Sequence, residues 1–437
     1  MLWYKSPPES RPNDDSRARR RGAPEEAGSG EGRNPKQMLR VSRRVASSGE
    51  SATLALTARV QELRRQGVDV VGFGAGEPDF DTPEPVKRAG IEAIERNFTK
   101  YTHSSGMPEL REGIAKRFLE DYGLRYEASQ IIVSCGAKQA IYNALLTLCD
   151  DGDEVLIPAP YWVSYPDMVR LVGGSPVVVP TSPERGFKAT VEDLERATTP
   201  RTKVLILNSP GNPTGAVYSA AELAPIGAFL ARRGIAVISD DIYASLVYGG
   251  TPFACIASVA KETLPLAVLV NGASKAYAMT GWRIGWAAGP KEIIAAMGRV
   301  QGQITSNPSS VAQKAALAAV TGDQESMIRP MRAEFDRRRR LMTARLNAIP
   351  GFRCHEPDGA FYCFPEIGAL FGKKGPDGKP IGTSDRFAEA ALEGARVALL
   401  SGTPFGAPNH VRLSYATSLG EIERGLDRLE TFVRTLR

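Results

Sequence analysis

The chain has 437 residues, 42% of them hydrophobic and 24% charged, and a formal net charge of +6. That length exceeds a single ordinary core and predicts two domains, and the composition is that of an ordinary soluble globular protein. Residues 1–37 hold eight Lys/Arg and six Asp/Glu, leaving +4 on the other 400 residues, too dilute a charge to predict a nucleic-acid partner.

No apolar run approaches the roughly 18 residues that cross a bilayer, and the start lacks a secretory apolar core, so a cytoplasmic protein without a membrane partner is expected. Cys135, Cys149, Cys255, Cys354 and Cys363 are odd in number and lack C-x-x-C spacing, which predicts neither a disulfide framework nor zinc. With only His103, His355 and His410 in the chain, no metal site is expected, and a general base must come from another residue type.

In chain order, residues 1–37 mix Pro, Gly, Ser, Arg and Glu with few apolar residues, the composition of a disordered extension. Asp14, Asp15, Glu25, Glu26 and Glu31 argue against a transit peptide, and Met38 offers an alternative start. Gly72-Phe73-Gly74-Ala75-Gly76 has the glycines of a dinucleotide loop, but Pro78 and the Asp-Phe-Asp run spoil the helix such a loop needs.

From Val68 onward short apolar strands alternate with amphipathic helices. Ile131-Ile132-Val133 leads into a helix with apolar residues at 137, 140, 141, 144, 145 and 148, the spacing of one buried face. Strands follow at 155–157, 177–179, 204–207, 235–238 and 266–270, the pattern of an α/β, doubly wound, mostly parallel sheet. After about Ser309 long helices and a few strands, such as Ala360 to Phe364, predict a smaller α+β domain. Arg337-Arg338-Arg339-Arg340 lies in a helical pattern with Phe335, Leu341 and Met342 and reads as a solvated face.

Ligands of such sheets collect at the carboxyl ends of the strands. Lys275 follows the strand 266–270, where a partly dry lysine is able to form a Schiff base with an aldehyde cofactor, and Arg283 offers a phosphate a fork of donors. A solvated loop lysine and a surface arginine are the plain alternatives. Gly136, Ala137 and Lys138 open a helix directly after a strand, where free N–H groups and the helix dipole favour an anion. Asp240 ends a strand at the same edge, and Asp241 beside it reads as a capping or surface acid. Asn212, in Asn-Pro-Thr-Gly, is good turn chemistry wherever it occurs.

The motifs Gly74-Ala75-Gly76-Glu77-Pro78-Asp79-Phe80, Pro160 to Pro166, Asn208 to Gly215, Ser274 to Arg283 and Arg412 to Ala416 together resemble signatures of the class I/II aminotransferases. These are fold-type I enzymes that use pyridoxal 5'-phosphate (PLP), and the resemblance runs from about Ser42 to the C-terminus, within the bacterial aspartate aminotransferase branch. It implies an N-terminal segment (38–72) packed on the small domain, a large PLP-binding domain (73–308) and a small C-terminal domain (309–437).

By resemblance, Lys275 carries PLP and moves the substrate proton, with Asp240 on the pyridine nitrogen and Tyr243 and Asn212 on the phenolic oxygen. Trp162 stacks on the ring, and Gly136, Ala137, Lys138, Ser274 and Arg283 form the phosphate cup. Tyr101 reaches the phosphate of a neighbouring subunit, which implies a homodimer with shared active sites. Arg412 holds the substrate α-carboxylate, a pairing that guanidinium geometry also favours, and Gly76 approaches the substrate through its N–H, while Trp162 and Asn212 also face it. Lys138 facing a distal carboxylate favours a dicarboxylic substrate, and the resemblance as a whole implies ping-pong transfer from L-aspartate to 2-oxoglutarate. Aromatic, prephenate-derived or neutral amino acids are the alternatives within the family, another PLP chemistry lies outside it, and a non-catalytic effector-binding regulator is the alternative from another class. Trp286, where tyrosine is frequent, and Gly211 before Asn212 depart from the common pattern.

Overall fold

The computed structural model describes residues 39–46 and 48–437; the expectations for residues 1–37 and Met38 lie outside them. Residues 43–437 cluster as one compact unit. Its centre is a seven-stranded sheet of β1 (Ile131–Ser134), β2 (Glu154–Pro158), β3 (Ser175–Val179), β4 (Thr202–Asn208), β5 (Ala236–Asp240), β6 (Ala267–Gly272) and β7 (Gly285–Ala288). The spatial order is β1-β7-β6-β5-β4-β2-β3. Strands β3, β2, β4, β5 and β6 pair in parallel, whereas β7 runs antiparallel to both β6 and β1.

These strands read as continuous apolar runs because both faces are covered, and β1 and the first four residues of β6 are buried throughout. One apolar cluster joins Leu205, Val237 and Leu269 to Phe229 and Ile114, and another joins Ile206, Ile238 and Val268 to Ile141 and Leu145. The alternation of neighbouring strand residues between the two clusters follows from the two-residue period of a strand. Helix α1 (Ala137–Leu148) supplies Ala140, Ile141, Ala144 and Leu145 to the second cluster, as its spacing predicts.

A third cluster gathers around β8 (Tyr362–Cys363), β9 (Leu400–Ser401) and β10 (Val411–Ser414), ordered β9-β10-β8. The long helix α2 (Gln324–Ala348) and the C-terminal α3 (Leu419–Thr435) supply Phe335, Met342, Leu426 and Leu429 to it. The strand expected over 360–364 is regular only at Tyr362 and Cys363. Ala360 has φ +59, and a left-handed residue cannot extend a pleated strand.

The arginine run departs from the expected solvated face. Arg337 and Arg340 are exposed, but Arg338 and Arg339 are buried, because acids meet them from other segments. Arg338 pairs with Asp79 and Glu334, and Arg339 with Asp336 and Glu356. Buried guanidinium groups need such partners, and sequence neighbours alone did not reveal Asp79 or Glu356.

Candidate active site

The ends of β4, β5 and β6 lie level, since Asn208 pairs in register with Asp240 and Asp240 with Val270. The chains leaving them border a cavity of about 410 Å³, within the range of small-molecule sites. Ala137, Lys138, Trp162, Asn212, Asp240, Tyr243, Ser274, Lys275, Arg283, Gly76 and Arg412 all line it. Of the predicted site residues, only Gly136 and Tyr101 do not.

Gly136 lies behind the cavity wall with φ +88, and a Cβ there would sit 2.5 Å from the Arg283 guanidinium. Glycine thus permits the arginine to lie across the start of α1, where it donates to the Thr280 and Cys135 carbonyls. No side chain caps α1, so this end of the cavity combines an uncapped helix N-terminus, a guanidinium and the Ser274 hydroxyl. Such a donor set suits a phosphate dianion. Tyr101 is 90% exposed in the single chain.

At the opposite end Asp240 is buried and accepts hydrogen bonds from Tyr165 Oη at 2.6 Å and the Ile242 amide at 3.3 Å. Burial raises its carboxyl to about 6, against the opposing pull of those donors and of Lys275. A cationic ring nitrogen placed against it would favour the carboxylate. Lys275 projects between the two ends from a short helix, Ala273–Ala276, that begins where β6 stops. Its Nζ donates to the Gly76 carbonyl and lies 6.0 Å from the centre of the Tyr243 ring. Burial lowers its amine to about 8, with Glu77 opposing and Arg412 and Arg283 assisting the fall. A lysine so placed is far easier to deprotonate near neutral pH than one in water. The residues present therefore fit PLP in anion, aldehyde and ring-nitrogen chemistry.

The remaining wall is built by distant segments. Arg412, from β10, is 1% exposed, lies 4.3 Å from the centre of the Tyr362 ring and donates to the Gly74 carbonyl and Asn212 Oδ1. Its Nε has no partner among the described residues, and burial lowers its pKa. A carboxylate in the cavity would supply the charge this guanidinium lacks. Tyr362 Oη and Tyr243 Oη are 2.9 Å apart. Lys138 lies at the mouth, 4.7 Å from the centre of the Trp162 ring and 3.3 Å from Ser164 Oγ.

Sequence reading missed Tyr165, Tyr362, Glu77 and the N-terminal residues Ser51, Thr53, Leu54 and Thr57, all of which line the cavity. Tyr165 stands in the Pro160 to Pro166 motif and opens the helix Tyr165–Leu171, so its place in that motif was an available signal; the approach of residues 51–57 had none. Asp241 is a correction: it is 2% exposed and neither a surface acid nor a helix cap. It points away from Asp240, as consecutive residues at a strand end do. Ser239 Oγ donates to one oxygen, the other has no partner among the described residues, and burial pushes the carboxyl up to about 8.

The family profile described as "Aminotransferase class I and II" matches residues 68–429. "Aspartate aminotransferase" of Geobacillus stearothermophilus is 48% identical over 398 residues, spanning 90% of this chain and 99% of that protein. "Aspartate/prephenate aminotransferase" of Cereibacter sphaeroides is 47% identical over 396 residues, with the same coverage. The crystal structure of the aspartate aminotransferase from Rhizobium meliloti superposes with a TM-score of 0.89 at 44% identity, covering 92% of this chain and all of the other. The chain belongs to the aminotransferase class I and II family.

Proposed function

We propose that the chain is a PLP-dependent aminotransferase that moves the amino group of L-aspartate to 2-oxoglutarate by a ping-pong route. The observation that carries the reading is the convergence of Lys275, Asp240 and Arg412 on one cavity. PLP, when bound, supplies an aldehyde for amine exchange and a ring that takes up the electron pair released at the substrate Cα. Lys275 would hold it, Asp240 would meet its ring nitrogen, Tyr243 and Asn212 its phenolic oxygen, and Ser274, Arg283 and the first turn of α1 its phosphate.

Arg412 grips the α-carboxylate, Gly76 presents backbone to the substrate, and Lys138 offers a cation to a second carboxylate. The amine of Lys275, half-buried and tuned to about 8, would take the Cα proton as base and give it up as acid at the carbon that is the aldehyde carbon of free PLP. Trp162 covers one side of the cavity. The separate apolar cluster around β8, β9 and β10 supports a small C-terminal domain (309–437) beside the large one (73–308), although Ala312 to Ile328 join the cluster of the large sheet, and Val60, Leu63 and Val70 against Ala398 support 38–72 as a segment packed on the small domain. Exposed Tyr101 supports a homodimer in which a second copy covers it. A cytoplasmic setting agrees with the structure, in which no described helix is long and apolar enough to cross a membrane.

The assay is release of oxaloacetate from aspartate and 2-oxoglutarate by PLP-loaded protein, run beside phenylalanine, tyrosine and prephenate-derived amino acids. A relative named for both aspartate and prephenate makes the second activity the specific alternative. Protein that binds PLP but releases no oxaloacetate would overturn the aspartate reading.

A further inference from the structure

The segment Gly74 to Thr82 crosses the cavity and carries the two carbonyls that receive Arg412 and Lys275. The residue just before it is tied by backbone bonds, Phe73 N–H to the Ala398 carbonyl and Ser414 N–H to the Phe73 carbonyl. Within 74–82 itself, no backbone–backbone hydrogen bond is made to any described residue. The segment is held by side chains alone. Thr280 donates to Glu77, Trp282 Nε1 donates to Thr82 Oγ1, and Thr82 donates to the Ala278 carbonyl.

The tie from the other side is Arg338. Its Nη1 donates to Asp79 Oδ1 at 2.7 Å, and its Nε donates to Glu334 at 2.9 Å. The guanidinium lies 5.2 Å from the centre of the Phe80 ring, and Phe80 meets Phe335 edge-on at 5.3 Å. Helix α2 thereby anchors the segment three residues beyond Gly76.

We propose that Arg338 is a positioning residue for substrate binding, acting through Asp79 to hold the Gly74 carbonyl where it aims Arg412. This rests on the function proposed above. A planar guanidinium bonded to two carboxylates and stacked on an aromatic ring fixes direction as well as distance, which a flexible lysine does not. Without that tie the segment retains its bonds to Thr280, Trp282 and Ala278 but loses the anchor facing α2. Arg412, deprived of a fixed acceptor, would then sample orientations that do not meet a carboxylate.

The test uses PLP-loaded R338Q and D79N proteins. D79N leaves the buried guanidinium paired with Glu334, so it keeps the question answerable if R338Q does not fold. Hydrogen exchange at the bonded amides that bracket the segment, those of Phe73 and Ser414 at its head and Val86 at its tail, should rise about tenfold in both variants, while exchange in β4 to β6 stays unchanged. KM for aspartate should rise about tenfold with kcat within about threefold of wild type, and the double variant should match the worse single variant. Unchanged exchange in D79N overturns the anchor. Faster exchange with unchanged KM, or a fall in kcat and melting temperature alone, overturns its role in binding. Wild-type protein inactive on aspartate counts against the proposed function instead, and the exchange comparison still judges the anchor.

Discussion

The two sides of the cavity are built differently. Lys275, Asp240, Ser274 and the start of α1 follow directly from strand ends, so sheet register alone brings them together. Arg412, Gly76, Tyr362 and Arg338 come from segments as much as 338 residues apart, and side-chain bonds assemble them. The contrast teaches that the half expected to hold the cofactor is fixed by the sheet, whereas the half expected to bind substrate depends on packing between segments.

The sharpest break is Lys275→Ala. It removes the proposed proton carrier while leaving the sheet intact, and aspartate transamination should fall by at least about 10⁴-fold, the upper range for acid–base groups. Residual activity within tenfold of wild type would disprove the lysine's role. On the other wall, Arg412→Lys keeps the charge but loses the fork, and kcat/KM for aspartate should fall about a hundredfold. Steady-state kinetics with several amino donors should find every donor affected, since all carry the α-carboxylate.

Lys138→Ala should separate the distal carboxylate from that common one. A cation at the cavity mouth is partly screened, so aspartate should lose about tenfold in kcat/KM while alanine and phenylalanine change little. An equal loss for all donors would return Lys138 to the phosphate end.

The smallest expected effect concerns Asp241, behind the cofactor wall. Its folded carboxyl titrates near 8 against an ordinary 3.8, so between those values the folded state holds a proton that the unfolded state has lost. Stability contributed by this group is therefore present at low pH and falls as pH rises through that window. Asp241→Asn should gain about 1 kcal/mol relative to wild type between pH 7 and pH 8, read from urea unfolding of cofactor-free protein. A pH-independent difference would show that Asp241 is ionised in the fold.

The physical reasons for what was legible are visible at single residues. Arg338 looked like one of four solvated arginines because a helix periodicity reports which residues share a face, not what covers that face. Asp241 looked like a surface acid because a strand end gives no sign of what lies beyond it. Tyr362 was visible as an apolar strand residue, but its place against Arg412 and Tyr243 depends on how two sheets meet.

The sequence by itself determined the α/β architecture and the positions of Lys275, Asp240 and Arg412, because strand and helix periods are local and the family motifs are contiguous. Tertiary structure alone decided that Arg338 and Asp241 are buried, that Tyr165 bonds Asp240, and that residues 74–82 hang on side chains. Burial and long-range pairing are properties of surfaces brought together by folding, and no short window of sequence contains both partners.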